Sequence, residues 1–151
     1  MRQQDTVDYF LKVVWQNVSN TYNQIASGFG ITQAIGYVLI NIEAEGTAVS
    51  ALAALLGVKS TSLSRMLNNM EEQGLIYREI ASGDKRSVKV FLTPFGIEKR
   101  KLARNVVVSF NEYLNARLSV KEKDQLIESL NKVNQLTLNY AQIKDHEQKN
   151  K

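Results

Sequence analysis

The sequence predicts a mainly α-helical fold interrupted by one small β-hairpin, on three observations. Apolar residues recur at intervals of three and four over most of the 151 residues. Between 75 and 92 that period gives way to two β-rich, partly alternating runs. The breaks between segments fall on glycines, hydroxyl residues and the single proline. A hydrophobic fraction of 44% is ample for a core, and the length suits one domain with helical extensions.

The first helix follows from Val7, Phe10, Leu11, Val14, Trp15, Val18, Tyr22 and Ile25, a stripe of about five turns that ends in the breaker cluster around Ser27, Gly28 and Gly30. The second is expected over 32–45, with Ala34, Ile35, Val38, Leu39 and Ile42 as its buried side and Gly46 closing it. Residues 48–73 then read as two short helices, broken at Gly57 and restarted by hydroxyl residues. Ser60 is the expected N-cap of the second, its side-chain oxygen accepting from an unpaired N–H of the first turn, and Gly74 is its stop.

On that second helix Leu63, Met66, Leu67 and Met70 share one stripe, while Thr61, Ser64, Arg65, Asn68 and Glu72 fall on or near the other side. One face packs and the other is free. A face of short hydrogen-bonding side chains with one arginine and an asparagine pair suits a DNA major groove, and N–H groups at the helix start, beside Ser60, suit phosphate. With Ala51, Leu52, Leu55 and Leu56 before it, the pair matches a helix-turn-helix. An ordinary solvated helical hairpin has the same pattern.

The hairpin follows at once. Residues 75–80 and 87–92 are its strands, and Ser82, Gly83, Asp84, Lys85 and Arg86 form a charged turn between them. A hairpin directly after a recognition helix is a wing, and this one offers Lys85 and Arg86 to a neighbouring minor groove. Thr93 caps the next helix, with Pro94 in the first helical position, and the period runs on to about 118. Lys99, Arg100, Lys101 and Arg104 crowd its first half, either against phosphate or as a solvated face. Ser119 and Glu122 form a capping box for a last helix with Leu126, Ile127, Leu130, Val133, Leu136, Tyr140 and Ile143 on its apolar side. The expected divisions are supporting helices over 1–46, a DNA-binding winged helix-turn-helix over 47–96, dimerisation helices over 97–146 and a disordered tail over 147–151.

Charge concentrates in the middle of the chain. The net of +4 comprises −2 over 1–46, +2 over 47–96, +3 over 97–117 and +1 beyond, a basic distribution that attracts a phosphate backbone. Cysteine is absent, which excludes a disulfide framework, a thiolate nucleophile and a thiol redox switch. The one histidine, His146, lies in the polar tail, and no phosphate-cradling glycine loop or clustered acid pair stands out; neither catalysis, a metal nor a cofactor is expected. Lacking a secretory signal or an apolar run of ~18 residues, the chain is expected to be cytoplasmic, with no membrane partner. The first helix and the last two carry more apolar stripe than one small core hides, and a homodimer built from them presents two recognition helices to successive major-groove faces. Folding back within one monomer is the alternative.

In this order of parts the chain resembles the MarR (multiple antibiotic resistance regulator) family of bacterial transcription factors. The resemblance rests on Gly74-Leu75-Ile76 after the recognition helix, on Asp84-x-Arg86 in GDKRSVKVFLTPFG, and on Leu92-Thr93-x-x-Gly96. It implies that Arg86 enters the minor groove, that Asp84 braces it or the wing backbone, and that Thr61, Ser62, Ser64, Arg65 and Asn69 contact the major groove; Asn68 is favoured by the helical wheel. It also implies a homodimer on double-stranded DNA, often a repressor, released by a small aromatic or lipophilic anion held between the dimer helices and the DNA-binding lobe. For that effector the candidate walls are Trp15, Ser19, Tyr22, Tyr37, Phe110 and Tyr113, residues whose spacing also suits plain core. The competing reading is a winged-helix protein that binds DNA without sequence preference, or only other proteins.

Overall fold

Six helices and three short strands follow one another in the computed structural model, which describes residues 5–80 and 88–149. They are α1 (Val7–Ser27), α2 (Gln33–Ile40), β1 (Thr47–Ala48), α3 (Val49–Leu56), α4 (Ser60–Glu72), β2 (Ile76–Ile80), β3 (Val88–Leu92), α5 (Pro94–Asn115) and α6 (Val120–Lys149). The chain divides into two compact units, Met1–Val108 and Ser109–Lys151.

In the first unit the helical stripes converge on one core. Val38 and Leu39 of α2, Leu52 of α3, and Leu63, Leu67 and Met70 of α4 are closed off from solvent, together with Ile42, Leu75, Ile76 and Val90. Each such side chain contributes about 1.5–3 kcal/mol relative to exposure. Thr32 caps α2, its hydroxyl accepting from the Ile35 N–H at 3.2 Å. Both α3 and α4 end on left-handed glycines, Gly57 at φ 62° and Gly74 at φ 69°, where a side chain would strain the backbone.

The second helix is shorter than its sequence suggests, ending at Ile40 rather than 45. Asn41 turns its amide back to the Tyr37 carbonyl at 2.8 Å, and the Thr47 hydroxyl accepts from the Glu43 N–H at 2.9 Å, so residues 41–46 become a connector. That connector delivers Thr47 and Ala48 to β3, opposite Val90 and Lys89. The hairpin is thereby the larger part of a three-stranded antiparallel sheet in the order β1-β3-β2, with Tyr77 opposite Phe91 and Arg78 opposite Val90.

One junction ties the sheet to the helices. The Thr93 N–H donates to the Leu75 carbonyl at 3.1 Å, its hydroxyl donates to the Gly74 carbonyl, and the same hydroxyl accepts from the Gly96 N–H at 3.0 Å. Gly96 sits so close to the Leu75 carbonyl that a Cβ would collide with it. The glycine and threonine spacings singled out in the sequence are thus the two halves of one contact.

The second unit is helical. Residues 116–118 close the end of α5, with Arg117 and Leu118 both donating to the Leu114 carbonyl at 2.9 Å. The capping box at the start of α6 is formed. Ser119 donates from its backbone N–H and its hydroxyl to one Glu122 oxygen, at 2.8 and 2.7 Å, and accepts from the Glu122 N–H at 3.3 Å. Those bonds hold the Glu122 carboxyl below its ordinary pKa. The helix then runs on to Lys149, past the point where a disordered tail was expected to begin. Among the described residues no helix is long and apolar enough to cross a membrane.

Candidate nucleic-acid interface

Helix α4 owes its orientation to its apolar stripe. Leu63, Leu67 and Met70 are inaccessible and Met66 is half-buried, which turns Thr61, Ser62, Ser64, Arg65, Asn68, Asn69 and Glu72 outward; all seven are exposed. The sequence-predicted contact face is therefore a continuous surface along one helix. Its start differs from expectation in one respect. Lys59, in extended conformation, holds the cap position and Ser60 is already the first helical residue, with no side chain bonded to the helix start. The Lys59 carbonyl takes the N–H groups of Ser62 and Leu63, at 3.0 and 3.1 Å. Ser60 and Ser62 thus remain exposed hydroxyls at the positive end of the helix dipole.

Two residues that sequence reasoning did not assign to the site organise its far end. Arg78 of β2 reaches back across the helix and donates to Glu71 from its backbone N–H at 3.2 Å, from Nε at 3.1 Å, and from Nη2. Nη2 also donates to the Asn68 Oδ1 at 2.8 Å. The hydrogen bonds from Arg78 hold the Glu71 carboxyl below its ordinary value of 4.5. An acid that would otherwise repel phosphate is thereby matched with a guanidinium. Asn69 is engaged within the helix, its amide meeting that of Gln73. Arg65 stands exposed three residues before Asn68.

The body of the wing is β2 and β3, stiffened by Tyr77 stacked on Phe91 with ring centroids 5.3 Å apart and planes at 14°. The wing-tip candidates Asp84, Lys85 and Arg86 lie outside the described residues. Of the four cations at the start of α5, two are engaged with main chain. The Lys99 Nζ donates to the Phe29 carbonyl at 2.6 Å and lies over the Phe95 ring, and Arg100 donates to the Ile42 carbonyl at 2.9 Å. Lys101 and Arg104 are exposed.

A cavity of about 200 Å³ opens among α1, α2 and the first half of α5, lined by Trp15, Tyr22, Phe29, Ile31, Tyr37, Ile40, Val106 and Val107 among others. Its walls carry no charged side chain; Thr32 and Gln33 are polar, and Trp15, Tyr22 and Tyr37 add one N–H or O–H each. Burial raises the pKa of the Tyr22 phenol. The structure brings Trp15, Tyr22 and Tyr37 of the candidate walls together here. Ser19 donates its hydroxyl to the Gln33 Oε1 at 3.4 Å. Phe110 and Tyr113 fall in the second unit, where the Arg117 guanidinium lies 3.6 Å from the centroid of the Tyr113 ring.

Comparison with known proteins gives a consistent result. The model of the MarR family matches residues 29–87. A Thauera aromatica protein described as the proposed transcriptional regulator of the hcr operon is 30% identical over 99 residues, which are 65% of this chain and 60% of that protein. The fold is similar to Staphylococcus aureus MepR in its DNA complex, with a TM-score of 0.80 at 24% identity over 87% of this chain and 98% of that one. It is also similar to an Escherichia coli MarR mutant in complex with operator DNA, with a TM-score of 0.76 at 27% identity over 84% and 92% of the two chains. With a helix-turn-helix followed by a wing, and matched at these residues and over this length, the chain is similar in sequence and fold to the MarR family.

Proposed function

We propose that the protein is a DNA-binding transcriptional regulator that occupies a pseudo-palindromic operator as a homodimer, acts as a repressor, and is released by a small apolar ligand. The observation that carries the reading is the outward face of α4, exposed over seven polar residues and fixed by a stripe with no solvent access. Relatives solved on DNA, among them the MarR and MepR complexes, support it. In this reading Thr61, Ser62, Ser64, Arg65, Asn68 and Asn69 meet the major groove, Ser60 the phosphates at its edge, and Lys85 and Arg86, braced by Asp84, the adjacent minor groove.

Dimerisation is supported by apolar side chains that the chain itself leaves uncovered. Val7, Phe10, Leu11, Val14 and Trp15 form an exposed stripe on α1, and Leu126, Ile127, Leu130, Leu136 and Ile143 are exposed on α6. A two-fold pair that covers them sets the half-sites ~10–10.5 bp apart, or a multiple of that. The cavity beside α1 supports the effector, and its uncharged walls favour a lipophilic molecule.

The test is binding of the purified protein to the DNA upstream of its own gene, titrated against salt and against a scrambled duplex, with Arg86→Ala beside wild type. Sequence-selective binding by a dimer, weakened in the variant, is the expected result. Equal weak binding to both duplexes would replace this reading with one of charge-driven contact, since specific readers exceed their non-specific binding by roughly 10³–10⁷.

A further inference from the structure

The Arg78 bridge fixes more than the position of the wing. A guanidinium has donors and no acceptor, so the atom that meets the Arg78 Nη2 at 2.8 Å can only be the oxygen of the Asn68 amide. This settles which way the amide faces. The pair formed by Asn69 and Gln73 carries no such information, because two amides can exchange ends and still bond. Asn68 is exposed, and its two amide N–H groups have no partner among the described residues. The same Arg78 is itself held from behind by Glu71, through its backbone N–H, Nε and Nη2, so the bridge is rigid at both ends.

An unconstrained asparagine reads adenine with both ends of its amide, the oxygen accepting from N6 and the nitrogen donating to N7. At Asn68 one of the oxygen's two acceptor sites already takes a charge-assisted bond, which is stronger than a neutral one from an adenine amine. We propose that Asn68 reads guanine, whose major-groove edge presents the two adjacent acceptors O6 and N7, and that Arg78 is the positioning residue that withholds the amide oxygen from adenine. The proposal rests on α4 lying in a major groove, as argued above.

The experiment is selection of bound duplexes from a random library by the full-length protein, followed by sequencing, in parallel for wild type, Asn68→Ala, Asn68→Asp and Arg78→Met. Wild type is expected to enrich a motif with one position in each half-site where guanine is preferred about tenfold. Asn68→Ala keeps the rest of the motif and loses that preference. Asn68→Asp retains an oxygen for Arg78 but has no donor, and the preference moves toward cytosine, whose N4 donates. Arg78→Met frees the amide oxygen, and the preference moves toward adenine.

If wild type enriches no motif, the groove-reading assignment fails and takes this proposal with it. A clear motif that Asn68→Ala leaves unchanged, or an Asn68-dependent adenine in wild type, overturns the proposal alone. A motif unchanged in folded Arg78→Met, with all sequences bound equally less well, reduces Arg78 to a structural strut and likewise overturns its positioning role. Should Arg78→Met fail to fold, Asn68→Ala and Asn68→Asp still decide the base preference, since both keep the bond between Arg78 and Glu71.

Discussion

Helices α4 and α6 are both amphipathic by sequence, and they resolve that pattern in opposite ways. In α4 the apolar stripe of Leu63, Leu67 and Met70 is at most 1% exposed, whereas in α6 Leu126 is 51% exposed, Ile127 50% and Leu136 58%. The first helix is folded by its own chain. The second is formed by its own hydrogen bonds and capping box but leaves its apolar side uncovered. Amphipathicity alone therefore does not say what a helix packs against; the elements that follow it do. Gly74, Leu75 and Thr93 fold sheet and α5 back onto the end of α4 within some twenty residues.

That contrast breaks most sharply under substitution of the buried stripe. Leu67→Ala, which empties a closed site, is expected to destabilise the protein by about 2–5 kcal/mol and to lower Tm by on the order of 10 °C in a circular-dichroism melt. The double change Ile127→Asp with Leu130→Asp has the opposite signature. It is expected to leave the winged-helix melt in place while the sedimentation mass falls from two chains to one at micromolar concentration. An unchanged mass would show that α6 is not where the dimer forms. Gly96→Ala probes the junction rather than a helix face. The new methyl meets the Leu75 carbonyl, and a loss of about 1–3 kcal/mol is expected in urea unfolding.

The smallest effect concerns acid. The carboxyl of Glu71 titrates below 4.5 because Arg78 bonds its charged form. A lowered folded pKa means that this contribution is present above the ordinary value and disappears as pH falls through the folded one. Urea midpoints of wild type and Glu71→Gln should differ at about pH 6 and draw together as pH falls below 4.5, the difference staying under about 1 kcal/mol because the pair is partly solvated. A gap that persists in acid would mean that Glu71 acts through packing instead of charge.

Much of the fold was legible because its elements are long enough to show a period. The stripe of α4, the two wing strands and the Ser119–Glu122 box all follow from spacing. What escaped is what tertiary contact decides. Two residues, Thr47 and Ala48, are too few to show alternation, and they become a strand only because Val90 and Lys89 lie opposite. The early end of α2 comes from the Thr47 hydroxyl drawing the connector back. Ser60 reads as a cap by residue type, but Lys59 has the extended backbone that a cap requires. At the interface the exposed face of α4 could be drawn on a wheel. The bond between Asn68 and Arg78 could not, since it depends on how closely β2 passes the helix.

Because α4 ends, β2 begins and α5 starts at the same few peptide groups, none of the three can tilt alone. A twist applied along the shaft of α5 meets, at Thr93, both the end of α4 and the root of the wing. The cavity lies against that shaft, at Ala103, Val106 and Val107.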